Sequence, residues 1–294
     1  MGRKHNILPF IAAAAGVGCL AVMDALMKGA ALAAGTYTAS LLRSLVGMAL
    51  VAPVWLARGA IWPRRNVMKL HIERGIVSAA MALTWFYALT QLPIAEAIAL
   101  SFVAPLVALY LAHWLLGEQI GKSAIIASVL GLAGTLVILS GRLGRNELDA
   151  GLATGLISLA VSALLYAYNF VIIRKQSQVA QPLEVATFHS GIGALVHLVG
   201  LPFFFVWPNM EVLGITALSG LLTVIGAITV AWAYAREEAQ WLVPLEYTGF
   251  LWASAMGWLI YSERLTLETL TGAALIVVGS MLVARSQARR EAKA

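Results

Sequence analysis

Long apolar runs separated by short polar connectors make up almost the whole chain. A helix that spans a bilayer needs about 20 mostly apolar residues, whereas the strands of a membrane β-barrel are short and alternate in polarity. The pattern therefore predicts an all-α integral membrane protein with ten transmembrane helices. The predicted spans are residues 7–27, 36–56, 71–89, 95–116, 123–139, 151–173, 183–205, 213–234, 241–261 and 265–284.

Composition agrees with placing these runs in a lipid bilayer. Hydrophobic residues are 61% and charged residues 12% of the chain, whereas a soluble domain has about 45–50% apolar and about 25% charged residues. The connectors are too short to hold a soluble domain, so we expect a single compact membrane bundle. The first run follows Arg3 and Lys4 but has no clear cleavage site, which indicates an uncleaved first span.

The Lys and Arg residues are distributed unevenly between the two sides of the predicted bundle. With the N-terminus in the cytoplasm, 15 of the 20 lie in cytoplasmic segments, four lie outside, and Arg43 lies within a span. Because positive charge accumulates on the cytoplasmic side, both termini are predicted to be cytoplasmic. The same bias explains the formal net charge of +6 without a nucleic-acid partner.

Residues 95–140 recur in design at residues 240–285, at an offset of 145 residues without a gap. Each copy reads as an apolar helix, a short polar turn that contains one glutamate, and a second apolar helix. We interpret the chain as two five-helix repeats, residues 1–145 and 146–294. The aligned identities are Leu100 with Leu245, Leu106 with Leu251, Ala108 with Ala253, Glu118 with Glu263, Leu130 with Leu275 and Gly134 with Gly279.

Five spans per repeat is an odd number, so the second repeat is predicted to lie inverted relative to the first. Inverted repeats place a pseudo-two-fold axis in the membrane plane, and a site at their interface becomes reachable from either side in turn. This arrangement indicates a transporter that works by alternating access. One chain holds a complete path, so we expect a functional monomer whose partners are the lipid bilayer and a small-molecule substrate.

Several motifs resemble the EamA family of the drug/metabolite transporter superfamily. They are Tyr87-Ala88-Leu89 before Pro93-Ile94-Ala95-Glu96-Ala97, Pro105 ahead of the Gly117-Glu118 turn, Ser262-Glu263-Arg264-Leu265, and the run from Gly272 to Gly279. The resemblance covers nearly the whole chain. It implies a transporter of amino acids, nucleotide derivatives or other metabolites, often directed outward. Within the family the chain resembles the exporters of bacterial inner membranes that accept amino acids, aromatic ones included.

Two positions depart from the pattern of that family. Phe250 stands where Pro105 would recur in the second half, and Ser262 stands where a glycine precedes the glutamate. We therefore expect the second half to bend differently. The paired glutamates, Glu118 and Glu263, are predicted to cap helices or bridge them.

Ionisable residues within spans cost roughly 2.5–3.5 kcal/mol each at the helix centre, so each needs a reason. Asp24 and Arg43 are predicted at similar depth on neighbouring helices. They form either a buried ion pair that fixes register or a charge pair beside the substrate path, with Lys28 a competing partner for Asp24. Glu246, at the start of the ninth span, is either solvated or a site for a proton or a substrate amine. These residues are our candidates for gating or coupling: Asp24, Arg43 and Glu246.

Aromatic and polar residues within the spans are the candidates for substrate binding. Aromatic faces stack with apolar groups and attract ammonium groups, although interfacial belts use the same residues. Asn169 is the positional counterpart of Asp24, and Pro105 either kinks its helix or frees a carbonyl toward a cavity. His189 is either a satisfied hydrogen-bonding group or a proton carrier. The candidate set is Trp85, Tyr87, Ser101, Pro105, Tyr168, Asn169, His189, Tyr247 and Trp252.

Other classes of function have less support in the sequence. No recognisable nucleophile–base set occurs, which disfavours an intramembrane enzyme. The single cysteine, Cys19, excludes a cysteine metal cluster, and we expect neither a metal nor another cofactor. A non-transporting membrane subunit and an exporter of nucleotide derivatives, drugs or other metabolites remain alternatives to an amino-acid exporter. Both facilitated diffusion and proton antiport remain open.

Overall fold

Helices dominate the computed structural model, which describes residues 7–104, 122–143, 150–176, 178–236 and 245–291, with the single positions 107, 110, 111, 114 and 242. No strand occurs in these ranges. The helices are α1 (Leu8–Ala34), α2 (Thr36–Ala57), α3 (Arg65–Gln91), α4 (Ile94–Ser101), α5 (Lys122–Leu143), α6 (Ala150–Gln176), α7 (Pro182–Val199), α8 (Leu201–Phe204), α9 (Met210–Tyr234), α10 (Thr248–Tyr261) and α11 (Leu267–Glu291).

Helix ends follow local chemistry. Gly35 separates α1 from α2 with a φ of 81°, a left-handed conformation that glycine adopts without steric cost. The side chain of Asn209 caps α9 by accepting a 2.8 Å hydrogen bond from the amide of Val212. Ser262 ends α10 at a φ of 53°, so the serine takes up the left-handed turn that a glycine would favour.

The apolar character of the helices suits a bilayer. Among the residues that the structure describes, four segments are long and apolar enough to cross a membrane: α1, α2, Ala150–Ile173 within α6, and Met210–Ala233 within α9. Large apolar side chains cover the outer surface, as Trp207 and Phe203 do with 88% and 80% of their area exposed. In lipid such a surface needs no burial against protein, because lipid tails are equally apolar. The count of ten spans stays a prediction.

Helix packing follows the 145-residue offset. That offset relates α1 to α6 and α3 to α9, and both α1–α9 and α3–α6 are extensive contacts. Helices α2 and α7 are counterparts that pack against each other, as are α5 and α11. A two-fold exchange of the halves therefore maps each of these contacts onto an observed contact. The boundary between residues 145 and 146 is still a prediction.

Glycines bring the paired helices close together. A Cβ atom on Gly134 of α5 would lie 2.5 Å from the carbonyl oxygen of Gly272 in α11. A Cβ atom on Gly226 of α9 would lie 3.0 Å from the carbonyl oxygen of Gly16 in α1. Small residues allow such backbone approach between membrane helices. Gly272 thus allows α5 and α11 to pack closely.

Several helices extend beyond the predicted spans. The first helix continues to Ala34, past Lys28, which hydropathy had placed outside it. The extension of the first helix is explained by Lys28, which is buried and paired with Glu263 inside the bundle. The third helix begins at Arg65, ahead of the predicted start at residue 71, and Arg65 and Lys69 in the added segment are exposed. The seventh span ends early, at Val199, since Gly200 and Pro202 begin a separate turn, α8.

Candidate functional site

A cavity lies where α2 and α3 of the first half meet α7 and α9 of the second. It offers about 50 Å³ to the centres of water-sized molecules, which is room for a few waters. A larger solute therefore requires these helices to separate. The lining residues are Arg43, Ser44, Gly47, Ser78, Ala79, Ala82, His189, Ser190, Gly193, His197, Gly220, Thr223 and Val224.

The lining from α2 and α7 comes from one polar, small-residue face of each helix. Arg43, Ser44 and Gly47 share a face because residues three and four apart are neighbours on a helix. On α7 the corresponding set includes His189 and Gly193. Both faces combine small residues, which allow close approach, with side chains that carry hydrogen-bonding groups.

Arg43 is the cation of the cavity. Its guanidinium lies 5.3 Å from the ring centroid of Phe86, a cation–π distance. Its Nε has no hydrogen-bond partner among the described residues. Asp24 interacts with it electrostatically, yet no ion pair within 4.0 Å joins the two in the part of the chain that the structure describes.

Asp24 instead accepts a hydrogen bond from the side chain of Trp85. The indole Nε1 donates to Oδ1 over 2.9 Å. The predicted alternative of a direct Asp24–Arg43 pair is therefore wrong for this conformation, because each side chain has turned to an aromatic residue on α3. Trp85 and Phe86 are adjacent, so α3 links the carboxylate to the guanidinium.

Two histidines of α7 also have unmade hydrogen bonds. His197 Nδ1 donates to the carbonyl oxygen of Gly193 over 2.6 Å, so the neutral ring presents its Nε2 as an acceptor. That Nε2 and the Nδ1 of His189 are buried without a hydrogen-bond partner in the described ranges. A buried polar atom without a partner costs about 1–3 kcal/mol, which indicates that water or a solute completes these bonds.

One end of the bundle is closed by Lys28 and Glu263, and we refer to it as the Lys28 end. The two charges lie 2.5 Å apart, with side chains only 8% and 15% exposed. Lys28 also donates to the carbonyl oxygen of Leu92, and Glu263 accepts from the amide of Ile94 at the start of α4 over 2.8 Å. Glu263 thus both caps and bridges, as predicted. Lys28 as a partner of Asp24 was wrong, because these two groups satisfy its charge.

The opposite end of α3 carries a second polar network, and we refer to it as the His71 end. Arg74 Nη1 donates to Gln176 Oε1 over 2.7 Å, and Gln176 Nε2 lies 2.7 Å from His71 Nδ1. His71 Nε2 lies 2.8 Å from Glu184 Oε1. His71 and Gln176 are each only 1% exposed. This network joins α3 to α6 and α7, so links between the halves occur at both ends of the bundle.

Five of the predicted site residues line the cavity or are connected to it. Arg43 and His189 line the cavity, and Asn169 lies directly behind it, with Oδ1 3.4 Å from the Oγ of Ser78. Trp85 lies on α3, which lines the cavity, and Asp24 is connected to α3 by its hydrogen bond from Trp85. Pro105 lies outside the described residues.

The other predicted residues lie away from this cavity. Tyr87 is 39% exposed and donates to Thr154 on the surface. Trp252 is 42% exposed and packs against Gly18. Tyr168 donates to Glu73 at the His71 end. Ser101 donates a hydrogen bond to the carbonyl oxygen of Ile98. The ring of Tyr247 packs on that of Phe102, and Glu246 is exposed.

Several lining residues were not predicted from the sequence. They are small or hydroxylic and attract little notice singly. The available signal was their spacing, since His189, Gly193 and His197 recur every four residues on α7 and mark one continuous face. The residues missed are Ser44, Ser78, Ser190, His197 and Thr223.

The sequence model of the EamA-like transporter family matches this chain twice, over residues 7–140 and 153–285. The chain belongs to the EamA-like transporter family. The two matches agree with the two-repeat architecture that the helix packing displays. As an EamA-like transporter, the protein is a multi-pass membrane protein, and its bacterial relatives place it in a bacterial inner membrane.

Relatives of this EamA-like transporter carry different metabolites. The pseudopaline exporter CntI of Pseudomonas aeruginosa is 25% identical over 267 residues, covering 90% of this chain and 92% of the relative. A riboflavin transporter of Rhizobium johnstonii is 26% identical, covering 76% and 72%. An S-adenosylmethionine uptake transporter of Rickettsia bellii is 21% identical, covering 76% and 75%. These similarities indicate a metabolite transporter.

Solved structures share this fold, among them a crystal structure with a TM-score of 0.67 at 21% sequence identity. The match covers 96% of this chain and 98% of the solved one. The shared fold therefore extends over nearly the whole chain. In the ranges that the structure describes, no group of three or more His, Cys, Asp or Glu residues is arranged to hold a metal ion.

Proposed function

We propose that this EamA-like transporter exports amino acids, aromatic ones included, and related small metabolites by alternating access. The observation that carries the proposal is the cavity between the halves. Its lining combines one cation, Arg43, with hydroxyls, two histidines and aliphatic side chains. Such a mixture suits a small solute that has both a polar head and an apolar body.

Alternating access is supported by two sets of links between the halves, one at each end of the bundle. Links between the halves occur at the Lys28 end and at the His71 end. If one set opens while the other stays closed, the cavity communicates with one side of the membrane at a time. The charge bias of the sequence predicts that the Lys28 end faces away from the cytoplasm, so this set would open for release during export.

A second candidate is export of another metabolite, a nucleotide derivative or a drug. It is favoured by the pseudopaline exporter, whose similarity covers 90% of this chain. The two candidates share the same cavity and mechanism and differ only in the solute. A single chain as the working unit is part of both.

Proteoliposome uptake tests the proposed function. We expect labelled phenylalanine, threonine and methionine to enter proteoliposomes faster than protein-free liposomes. Uptake that is indifferent to an imposed pH gradient would indicate facilitated diffusion, and uptake that the gradient accelerates would indicate proton coupling. Correctly inserted protein that moves none of the three would refute the amino-acid assignment and direct the search to nucleotide derivatives, drugs and other metabolites.

A further inference from the structure

Hydrogen-bond directions around the cavity carry information about the solute. The Oγ of Ser44 donates to the carbonyl oxygen of Ser40 over 2.9 Å, and the Oγ1 of Thr223 donates to that of Ser219 over 2.8 Å. The Oγ of Ser78 donates to Asn169. Because each hydroxyl has one proton, the oxygens that remain toward the cavity are acceptors.

His197 adds another acceptor to this set. Its Nδ1 proton is committed to the carbonyl oxygen of Gly193, so its Nε2 accepts and has no partner in the described part of the chain. Four side chains of four different helices therefore offer acceptors, and Arg43 offers a cation with only donors. A solute that satisfies both must carry an anionic group and, beside it, a group rich in N–H or O–H donors.

We propose that the cavity binds the α-amino acid head group as a zwitterion, with Arg43 on the carboxylate and the acceptor set of Ser44, Ser78, Thr223 and His197 on the ammonium. This assignment deepens the proposed function and rests on it. A planar guanidinium pairs well with a carboxylate, because two N–H groups match its two oxygens. The ammonium has three donors and no acceptor, which suits the acceptor set.

A role for Arg43 as a mere counter-charge to Asp24 fits the geometry less well. Where this protein uses an ion pair for structure, at Lys28 and Glu263, the charges touch at 2.5 Å and backbone groups complete their bonds. Arg43 lies over Phe86 with its Nε unpaired, and Asp24 is bonded to Trp85. The guanidinium edge therefore stays available.

Competition binding on purified protein in detergent tests the assignment. Labelled L-phenylalanine is displaced by L-phenylalanine, by L-phenylalaninamide, which lacks the carboxylate, and by 3-phenylpropionate, which lacks the ammonium. We expect both analogues to compete at least about tenfold more weakly than phenylalanine, since each leaves charged hydrogen bonds unmade. In Arg43→Gln, phenylalanine affinity should fall at least about tenfold and the preference over the amide should disappear. The Arg43→Lys variant should retain part of the preference for phenylalanine over the amide.

Two further variants separate recognition from structure. Arg58→Gln removes an exposed cation from the end of the same helix and should leave affinity and preference unchanged. The double variant Asp24→Asn with Arg43→Gln removes both charges and should bind as weakly as Arg43→Gln alone. Recovery of phenylalanine affinity in the double variant would overturn the assignment, because Arg43 would then serve only to balance Asp24.

The outcomes also distinguish the site from the function. Wild-type protein that binds and transports phenylalanine but does not prefer it to the amide overturns the zwitterion site and leaves the amino-acid function standing. An Arg43→Gln variant that still prefers phenylalanine to the amide as strongly as the wild type also overturns the zwitterion site and leaves the amino-acid function standing. Wild-type protein that neither binds nor transports phenylalanine, threonine or methionine overturns both.

Discussion

Buried polar atoms without a hydrogen-bond partner in the described ranges occur both at the cavity, as Arg43 Nε does, and at the His71 end, as Arg74 Nε does. At the His71 end the hydrogen bonds are consecutive, so the donor and acceptor of one bond determine those of the next. Arg74 can only donate, so Gln176 presents its oxygen to Arg74 and its NH₂ group to His71 Nδ1. The single proton of a neutral His71 therefore sits on Nε2 and is donated to Glu184.

Replacing Gln176 with leucine tests this chain of bonds. The change leaves Arg74 Nη1 and His71 Nδ1 without their partner, and each such loss costs about 1–3 kcal/mol. We expect the thermal unfolding midpoint in detergent to fall by several degrees. Gln178→Leu, at an exposed position two residues later, should leave it unchanged. Equal midpoints for the two variants would show that the network does not stabilise the fold.

At the scale of elements, a few long-range links hold helix ends together. Glu263 follows α10 and contacts α1 through Lys28 and α4 through the amide of Ile94. The positive end of the α4 dipole adds to the attraction, because a carboxylate near a helix N-terminus is stabilised. This connection joins residues 235 positions apart in the chain.

Glu263→Gln tests the link between these elements. The amide oxygen of glutamine can still accept from Ile94, but Lys28 loses its counter-charge while 6% exposed. Removing one partner of a buried ion pair costs about 3–5 kcal/mol, so we expect a clear fall in the unfolding midpoint. The double variant with Lys28→Met should recover part of it.

Arg264→Gln, the neighbouring exposed residue, is the control for loss of charge in this turn. We expect its midpoint to match the wild type. A fall in Arg264→Gln as large as that in Glu263→Gln would attribute the effect to the turn and contradict a specific link with Lys28.

Local sequence patterns predicted where the helices lie better than they predicted which side chains pair with one another. The second span, predicted at residues 36–56, is Thr36–Ala57 in the structure, because a continuous apolar run with a preceding glycine has defined ends. Lys28 was assigned by its spacing from Asp24, yet its partner is Glu263. No local pattern contains that pairing, since it depends on how α1, α4 and α10 pack.

The candidate site was predicted in part for the same reason. Arg43 and His189 stand out in apolar spans because burying an ionisable group needs a reason. Tyr87 and Trp252 were chosen by residue type, but sequence alone does not tell which face of a helix meets a cavity. Both are partly exposed on the outside of the bundle, where lipid contact accounts for an aromatic side chain.

At the scale of the whole molecule, the two halves meet around a small cavity. Helices α2, α3, α7 and α9 surround it, and the extensive α2–α7 contact joins counterparts of the 145-residue offset. The volume, about 50 Å³ for the centres of water-sized molecules, means that a larger solute enters only if these helices separate.

The most direct test of a path through this cavity is to fill it and measure transport. Ala82 lines the cavity and is 7% exposed, so Ala82→Leu should obstruct the space between the halves. Ala160→Leu adds the same atoms at an exposed position on α6 and serves as the matched control. Both variants are compared with the wild type by initial rates of amino-acid uptake in proteoliposomes, at equal amounts of folded protein. We expect Ala82→Leu to lose most uptake and Ala160→Leu to retain it. Wild-type rates in Ala82→Leu would contradict a substrate path through this cavity.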